Sequence, residues 1–462
     1  MFMAESSIAC ELWAAAGGDP ALIYNLETTG SGSLPSVFPV SDLATAAVGC
    51  AGLAVAELIA ARSGVAPRVR VDRRLCSIWF GLSVRPQGWQ LPALWDPLSA
   101  DFEAKDGWIR LHMNAPHHRD AALAVLGVAP EKAAVARQVS DWAANDLETA
   151  VVMRGGCAAT KRSIPEWRAH PQGKAVAGEP LLENHIRELR PDRDWKASRS
   201  RPLEGLRVLD LTRVLAGPVA TRFLAGFGAE VLRVDPPWWD EPVVVLEVAL
   251  GKRCARLDLR KPSSREDFKQ LLQEADVLVH GYRPDALARL GFDADQRHKI
   301  CPGLVDVALD AYGWTGPWKG RRGFDSLVQM SSGIADHGMK LLGKNKPTPL
   351  PVQALDHSVG YLLATAAIRG LTNRLKTGAG CEGRTSLARM AALLIDQPAA
   401  GSSEPVAPEE PSDLSDEIEE TGWGPARRTK PPVVVDGARM QWDLPASQLG
   451  TAEPRWQPRE IS

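Results

Sequence analysis

The chain has 462 residues, of which 45% are hydrophobic and 24% are charged, and its formal net charge is −2. That length predicts two or three domains with a sizeable core, and the nearly balanced charge argues against nucleic acid or an anionic membrane as a partner. The seven cysteines lie far apart without a CxxC pair, which argues against structural zinc and a disulfide framework. Reduced thiols and the lack of an export signal in the first residues predict a cytoplasmic protein.

Residues 1–75 are dominated by an Ala-rich run at 44–61, followed by a strand-like segment at 67–72. The run is long enough to resemble a membrane span, but it carries Glu57 and its apolar residues are mostly Ala and Gly, which insert weakly. We therefore expect a tightly packed buried helix and no membrane contact. The strand alternates apolar and basic residues, as half-exposed strands do.

Residues 76–190 predict a small α+β domain, because strand-like and helix-like patterns are mixed within it. The charged and polar residues 191–202 that follow predict a linker. The predicted elements of the small domain are a strand at 106–114, helices at 115–128 and 139–157, and a short turn at 165–173.

Residues 203–397 alternate between apolar strand patterns and amphipathic helix patterns. Such alternation predicts an α/β fold in which a parallel, Rossmann-like sheet carries helices on both faces. Residues 398–462 are rich in Pro, Ser and Glu, which predicts a disordered or loosely wrapped tail whose final Trp and Leu residues pack on a surface. The predicted strands lie at 207–212, 230–235, 254–259, 276–282 and 304–313, and the helices at 217–227, 263–275 and from 284.

One pattern occurs twice, around Asp42 and around Asp356. Aligning these two aspartates needs no gap over about 45 residues, and Gly64 then falls on Gly378. Each copy has a Pro-Val loop, the aspartate, an Ala-rich helix, a basic residue before Gly, and a strand. The matched spacing indicates an internal duplication; the alternative is chance similarity between two Ala-rich helices.

Several motifs in the second half resemble the class III coenzyme A transferases, the family of the formyl-CoA and carnitine CoA transferases. The first half resembles the later portion of that family, from the helix after its catalytic aspartate through its small domain. The chain therefore reads like two subunits fused and trimmed, and the resemblance implies an interlocked homodimer or one chain that imitates part of such a dimer. The motifs are LEGLRVLDLTRVLAGPVATRFLAGFGAEVLRVDPP (203–237), LGKRCARLDL (250–259), ADVLVHGYRPDALARLGF (275–292), YGWTGPW (312–318) and GFDSLVQMSSG (323–333).

The resemblance implies that Asp356 is the catalytic nucleophile and that Asp42 is a structural relic. The residues alone favour the alternative, in which Asp356 is an aspartate that caps the helix after it. The strand-to-helix turn and several cations fall on family positions that line the CoA groove, where positive charge suits phosphate. These expected CoA-binding residues are Val214, Leu215, Ala216, Gly217, Lys252, Arg253 and Arg283.

The function implied by this resemblance is transfer of coenzyme A between an acyl-CoA and a carboxylic acid through an aspartyl intermediate, with no tightly bound cofactor and no metal. An α-methylacyl-CoA racemase is one alternative, but the segment GFDSL (323–327) lacks the His of a GHDxNY-like motif. A non-catalytic CoA-binding subunit is the other alternative.

Adjacent His117 and His118 diverge on a helix and predict a surface role, and Gly155-Gly156-Cys157 predicts a helix stop, not a reactive thiol.

Overall fold

The computed structural model describes residues 7–189, 195, 198–241, 244–398 and 404–458. Its N-terminal unit contains short strands and one long helix, Val40–Ser63. This helix is long and apolar enough to cross a membrane, but 94% of its most apolar stretch is buried inside the protein. The elements are the helices α1 (Ser7–Ala15), α2 (Val40–Ser63) and α3 (Arg73–Trp79), a 3-10 helix (Pro20–Asn25), and the strands β1 (Leu26–Thr29), β2 (Val69–Asp72) and β3 (Val84–Pro86).

A small α+β unit follows, in which helices pack on a three-stranded antiparallel sheet with the order β4–β5–β6. The helix predicted at 139–157 is two helices with a break at 141–143, where the side chain of Asp106 accepts a hydrogen bond (2.8 Å) from the amide of Ala144. The predicted turn at 165–173 is also helical. The elements are β4 (Ala100–Ala104), β5 (Gly107–Leu111), β6 (Ala158–Thr160), α4 (Pro116–Leu126), α5 (Lys132–Ser140), α6 (Ala144–Met153), α7 (Ile164–Ala169) and α8 (Pro171–Ala177).

The largest sheet has seven strands in the order β10–β9–β8–β11–β12–β13–β7. All neighbours are parallel except β7, which runs antiparallel to β13. The strands are β7 (Glu183–Leu189), β8 (Arg207–Leu211), β9 (Glu230–Asp235), β10 (Lys252–Arg256), β11 (Val277–His280), β12 (Val305–Asp310) and β13 (Ala379–Ser386). The helices are α9 (Ala216–Gly226), α10 (Val245–Val248), α11 (Pro262–Glu274), α12 (Ala286–Arg289), α13 (Ala294–Ile300), α14 (Asp325–Ser332), α15 (Ile334–Leu341), α16 (Ala354–Thr377) and α17 (Leu387–Asp396).

This sheet confirms the predicted α/β fold. Its six parallel strands, numbered from β8 onwards, have the order 3-2-1-4-5-6 of a Rossmann sheet, which places a ligand crevice at the carboxyl ends of β8 and β11. Strand β7 departs from the prediction, because it lies within the segment 76–190 that was assigned to the small domain. Its pairing with β13 could not be read from a local pattern.

The C-terminal residues 404–458 are folded, in contrast to the predicted loose tail. Strand β16 runs antiparallel to β2, and β15 runs antiparallel to β3. Sparse apolar anchors hold the segment: Val433 and Val435 are buried, and the ring of Trp442 stacks on Trp79 at 5.8 Å. The contact of Trp442 agrees with the surface packing predicted for the final Trp residues, whereas the strand pairing of the segment was not predicted. The elements are a 3-10 helix (Pro411–Asp413), β14 (Glu419–Thr421), β15 (Gly424–Arg428) and β16 (Val433–Val435).

The internal duplication is visible as two equal helices. Both α2 and α16 have 24 residues, and each places its aspartate in the first turn. Each ends at a left-handed glycine, Gly64 with a φ of 79° and Gly378 with a φ of 77°. The residue before the next helix then caps it in both copies, as Asp72 accepts from the amide of Leu75 and Ser386 from that of Arg389.

Sheet pairing repeats in the same way. The order β1–β2–β16, with one parallel and one antiparallel pair, reproduces β12–β13–β7. The first copy is therefore a strand–helix–strand–helix unit without strands corresponding to β8–β11. The two copies meet through α2 and α16, which pack against each other, and α16 packs on its other side against α9.

The contact between α16 and α9 requires a glycine at position 360. A Cβ added to Gly360 would lie 2.5 Å from the carbonyl oxygen of Ala216, a backbone atom at the start of α9. We expect Gly360→Ala to lower the free energy of unfolding by about 1–3 kcal/mol, because backbone must move to admit the methyl group. Urea unfolding measures this loss.

Gly178→Ala is the matched control, since Gly178 is exposed, has a right-handed backbone conformation, and its added Cβ would lie 3.4 Å from the nearest atom. We expect its unfolding midpoint to stay close to that of the unmodified protein. Equal midpoints for both variants would contradict the close approach of α16 to α9.

Candidate active site

Asp356 lies in the first turn of α16, where a second carboxylate fixes the helix start. Asp325, the first residue of α14, is fully buried and accepts hydrogen bonds from the backbone amides of Leu355 (2.8 Å) and Asp356 (3.0 Å). Gln329 donates a further hydrogen bond to Asp325. The cap holds the first turn of α16 and brings two carboxyl groups together.

The environment of Asp356 disfavours its negative charge. The residue is 8% exposed, and within the described part of the chain no donor forms a hydrogen bond with its carboxyl oxygens. Burial and, after it, the neighbouring charge of Asp325 raise the pKa of Asp356 well above its usual range. Burial also raises the pKa of Asp325 to about 6. The amino end of α16 acts in the opposite direction, because a helix dipole favours an anion there.

A cavity of about 360 Å³ opens on one side of Asp356, and we call it the cationic cleft. It lies at the carboxyl ends of β8, β11 and β12, which is the crevice that the strand order predicts. Its cationic lining residues are Arg213, Arg283, Arg321 and Arg322, and His117, His118, Val214, Leu215, Ala216, Tyr282, Phe324 and Asp356 also line it.

A second cavity, of about 450 Å³, is also lined by Asp356, and we call it the apolar cavity. The two cavities share five lining residues, and Asp356 is therefore reachable from both. The shared residues are Val214, Leu215, Trp239, Phe324 and Asp356. Among the further residues of the apolar cavity are Phe80, Leu82, Leu94, Trp95, His112, Val352 and His357.

Four of the seven residues predicted to bind CoA line the cationic cleft: Val214, Leu215, Ala216 and Arg283. Val214 has a φ of 63°, a left-handed conformation that a β-branched residue rarely adopts, and its amide donates to Glu241 at 2.8 Å. Arg283 is exposed, and within the described residues its side chain has no hydrogen-bond or ion-pair partner. Its charge is available to a ligand.

The other three predicted residues do not line the cleft. Lys252 is fully buried, and its ammonium group donates to Asp210 at 3.0 Å and to the carbonyl of Pro218 at 2.9 Å. Arg253 donates to the carbonyl of Arg455 at 2.7 Å in the C-terminal segment. Gly217 is a packing glycine, whose Cβ would lie 2.3 Å from the Thr212 side chain. All three therefore have structural roles.

Sequence reasoning missed three of the four arginines of the cleft. Arg213 precedes the predicted turn, and its guanidinium lies 4.5 Å from the ring centre of Trp239. Arg321 stacks on Trp318 at 3.8 Å and donates to Glu148, while Arg322 donates to the carbonyl of Gly155 at 2.6 Å. The Arg-Arg-Gly run directly before the Phe-Asp of α14 was the available signal.

The small α+β unit supplies a wall of the site. This corrects the surface role predicted for His118, whereas His117 is exposed, as predicted. Both line the cationic cleft, and His118 is buried. The ring of His112 stacks on Phe324 at 3.9 Å and lines the apolar cavity. Burial lowers the pKa of His118 and of His112 to about 3, so both rings are neutral at pH 7. This unit follows Asp42 in the sequence but covers Asp356.

Asp42 has no part in either cavity. Its carboxylate is bound by Arg73 at 2.8 and 3.2 Å, and the same guanidinium donates to the carbonyl of Gly32. Cys157 is buried with its pKa raised to about 12 by burial, so its thiol is neutral and the preceding Gly-Gly ends a helix.

One buried cluster away from the cleft, His298, Asp306 and Glu382, has side-chain ligand atoms within 4.8 Å of one another. Asp306 is paired with Arg297 at 2.6 Å, and Glu382 is paired with Arg187 at 2.7 Å. Guanidinium groups therefore already neutralise both carboxylates of the cluster.

Comparison with known proteins confirms the resemblance for the second half of the chain, since residues 203–419 match CoA-transferase family III. An acyl-CoA transferase of Gibberella moniliformis is 28% identical over 320 residues, which cover 63% of this chain and 55% of that protein. Succinyl-CoA:glutarate CoA-transferase of Mus musculus is 34% identical, covering 41% and 46%. Succinyl-CoA--D-citramalate CoA-transferase of Chloroflexus aurantiacus is 30% identical, covering 39% and 48%. The chain thus spans about half the length of these relatives.

The raised pKa of Asp356 predicts that its charge destabilises the fold. A carboxyl group whose pKa is higher in the folded state binds more protons there, so its destabilising effect is absent at acid pH and grows as pH rises past the unfolded pKa. Each pKa unit corresponds to about 1.4 kcal/mol. We expect Asp356→Asn to raise the melting temperature at pH 8 and to lose most of that advantage at pH 4, as followed by thermal unfolding.

Asp42→Asn is the matched control, because it changes the equivalent residue of the other copy and breaks an ion pair with Arg73. That pair is partly exposed, so we expect a loss of at most about 1 kcal/mol at pH 8. A fall in melting temperature for Asp356→Asn at pH 8 would contradict the unfavourable environment inferred for Asp356.

Proposed function

We propose that this chain is a CoA transferase that moves coenzyme A from an acyl-CoA to a carboxylic acid, with Asp356 as the nucleophile. One observation carries the proposal: Asp356 is open both to a cleft lined by arginines and to an apolar cavity. A thioester whose nucleotide lies in the cleft and whose acyl group lies in the cavity has its carbonyl at Asp356. The match of residues 203–419 to CoA-transferase family III supports this reading.

The proposed reaction needs only the Asp356 carboxylate, the acyl-CoA and the acceptor acid, and no cofactor. The Asp356 carboxylate attacks the thioester carbonyl, the C–S bond breaks, and an aspartyl–acyl anhydride and CoA thiolate form. The thiolate attacks the aspartyl carbonyl, releases the first carboxylic acid and leaves an aspartyl-CoA thioester. The acceptor carboxylate attacks the aspartyl carbonyl of that thioester, the C–S bond breaks, and a second anhydride and CoA thiolate form. The thiolate then attacks the acceptor's carbonyl, which gives the new acyl-CoA and releases the Asp356 carboxylate. An unsolvated carboxylate without hydrogen-bond donors suits the first step.

Cationic side chains of the cleft suit the phosphates of coenzyme A. Arg283 and Arg322 are exposed at the cleft, where each guanidinium can form charge-assisted hydrogen bonds with phosphate oxygens. Arg213 and Arg321 lie against aromatic rings, and each is paired with a carboxylate, Arg213 with Asp235 at 3.9 Å and Arg321 with Glu148 at 2.9 Å. The cleft therefore favours the nucleotide end of the thioester over its acyl end.

One chain supplies every part of the proposed site. The cleft and Asp356 come from the second half, whereas His112, His118 and the segment 80–82 come from the first half. We also propose that the protein is a homodimer, although a second chain is not needed to complete this site. A cytoplasmic location is also proposed, and the seven free cysteines support it.

The nucleophile is tested by trapping. The full-length protein is incubated with an acyl-CoA and then with hydroxylamine or borohydride, and we expect mass spectrometry to find the modification on the Asp356 peptide. Asp356→Asn should remove the adduct and lower transfer by at least about 1,000-fold, because the covalent route is lost. Asp42→Asn should leave both unchanged. An unmodified Asp356 peptide in a protein that still binds CoA would favour a non-catalytic subunit, and α-proton exchange in deuterated water without transfer would favour a racemase.

The nucleotide site is tested by two arginine variants. We expect Arg283→Ala to raise the KM for acyl-CoA by about 10-fold with little change in kcat, because it removes a phosphate contact remote from the reacting carbonyl. Arg253→Ala, which removes an arginine outside the cleft, should leave the KM unchanged. Steady-state kinetics at fixed ionic strength measure both. A larger rise in KM for Arg253→Ala than for Arg283→Ala would reverse the assignment.

A further inference from the structure

We infer that the apolar cavity selects an uncharged, apolar acyl group and discriminates against acyl groups that end in a carboxylate. This inference rests on the proposed function, because it assigns the acyl end of the thioester to that cavity. It departs from the relatives named for succinyl-CoA, whose acyl group carries a second carboxylate. The cavity of about 450 Å³ has room for an aliphatic chain of medium length.

The walls of the cavity carry aromatic and aliphatic groups. Phe80, Leu82 and Leu94 come from the first half of the chain, and Val352 precedes α16. Among the described residues that line the cavity there is neither lysine nor arginine. A carboxylate moved into such a site would lose its water without gaining an opposite charge, which is strongly unfavourable.

The two buried histidines of the lining do not supply that charge. His112 and His357 are each about 95% buried or more, and burial lowers the pKa of each to about 3. Each ring packs on an aromatic neighbour, His112 on Phe324 and His357 on Phe80. Both are therefore neutral when the enzyme works near pH 7.

Arginines near the cavity are already neutralised. Arg110 lies beyond Trp95 and is paired with Asp101 at 2.8 Å. Arg222 is buried and paired with Glu247 behind His357. Neither guanidinium lines the cavity, so an acyl carboxylate could bind one only by replacing a partner within the protein.

Acidic residues at the cavity make a second negative charge still less favourable. Asp96, Asp240 and Glu241 line it. Asp96 lies 3.3 Å from Arg119, and Glu241 is bound by Arg233, but Asp240 is exposed and has no cationic partner among the described residues. The two cavities thus differ in charge. Four arginines line the cationic cleft against one carboxyl group besides Asp356, that of Asp310, whereas the apolar cavity has carboxylates and neither lysine nor arginine in its lining.

Acyl-CoA selectivity of the full-length protein tests the inference. With acetate as acceptor, we expect kcat/KM for hexanoyl-CoA and octanoyl-CoA to exceed that for succinyl-CoA and glutaryl-CoA by about 100-fold or more. Equal or better use of the two dicarboxylic thioesters would overturn the inference and leave the proposed transferase function intact. The absence of transfer and of an Asp356 adduct with every thioester would instead overturn the proposed function.

Binding decides the inference independently of turnover. Isothermal titration of the Asp356→Asn variant with hexanoyl-CoA and succinyl-CoA should give at least about 10-fold tighter binding of hexanoyl-CoA. Equal affinities, or tighter binding of succinyl-CoA, would overturn the inference whatever the activity of the enzyme.

A charge introduced into the wall provides the converse test. Leu94 is 45% exposed at the cavity, so a longer polar side chain fits there without unfolding. We expect Leu94→Arg to raise kcat/KM for glutaryl-CoA relative to octanoyl-CoA by about 10-fold or more, and Leu94→Gln, which adds polarity without charge, to leave that ratio nearly unchanged. The same shift in both variants would contradict a charge-based selection.

Discussion

The site depends on one cap, in which the Asp325 carboxylate accepts the backbone amides of Leu355 and Asp356. This cap ties the start of α14 to the start of α16. The loop before α14 lines the cationic cleft, and the loop before α16 lines the apolar cavity. It also places a second carboxyl group beside Asp356, whose pKa is raised by burial and, after it, by the charge of Asp325. The residue that positions the proposed nucleophile therefore also adds to the destabilisation of its charge. A neutral cap would order the helix equally well but would leave the nucleophile a weaker base.

Duplication explains how a single chain surrounds that carboxylate. The α2 and α16 helices pack against each other as two copies of one element, and the buried Glu57 of α2 is paired with Arg369 of α16. The small α+β unit leaves the first copy and covers the site of the second. Two interlocked subunits would show the same exchange, with each contributing its small domain to the other. The first copy has no strands that correspond to β8–β11, whose carboxyl ends form the cationic cleft in the second copy.

The parts of this structure that local pattern determines could be predicted from the sequence. Strand β8 is one such part: Val208, Leu209 and Leu211 indicate a buried strand, and β8 is buried along its whole length because both faces of the sheet are covered. Lys252 and Arg253 show where such reasoning stops: whether a cation at the start of β10 faces a ligand or a buried aspartate depends on register and on neighbouring strands. The same limit applies to β7, β16 and His118, whose roles follow from contacts with residues far away in the chain. The folded C-terminal segment shows that amino-acid composition predicts order poorly where a few buried valines and tryptophans hold many polar residues in place.

The two aspartates of the repeat differ in whether the protein neutralises their charge. With the offset that aligns Asp42 with Asp356, Arg73 aligns with Leu387, and both begin the helix that follows the strand. In the first copy, Arg73 neutralises Asp42 with two hydrogen bonds and holds it as part of the fold. In the second copy, Leu387 lines the cationic cleft and offers no charge. An arginine at 387 would lower the free energy of the Asp356 carboxylate and occupy space in the cationic cleft. With leucine at this position, Asp356 has no cationic partner among the described residues, and an unpartnered carboxylate that lines two cavities suits the nucleophile proposed for attack on a thioester.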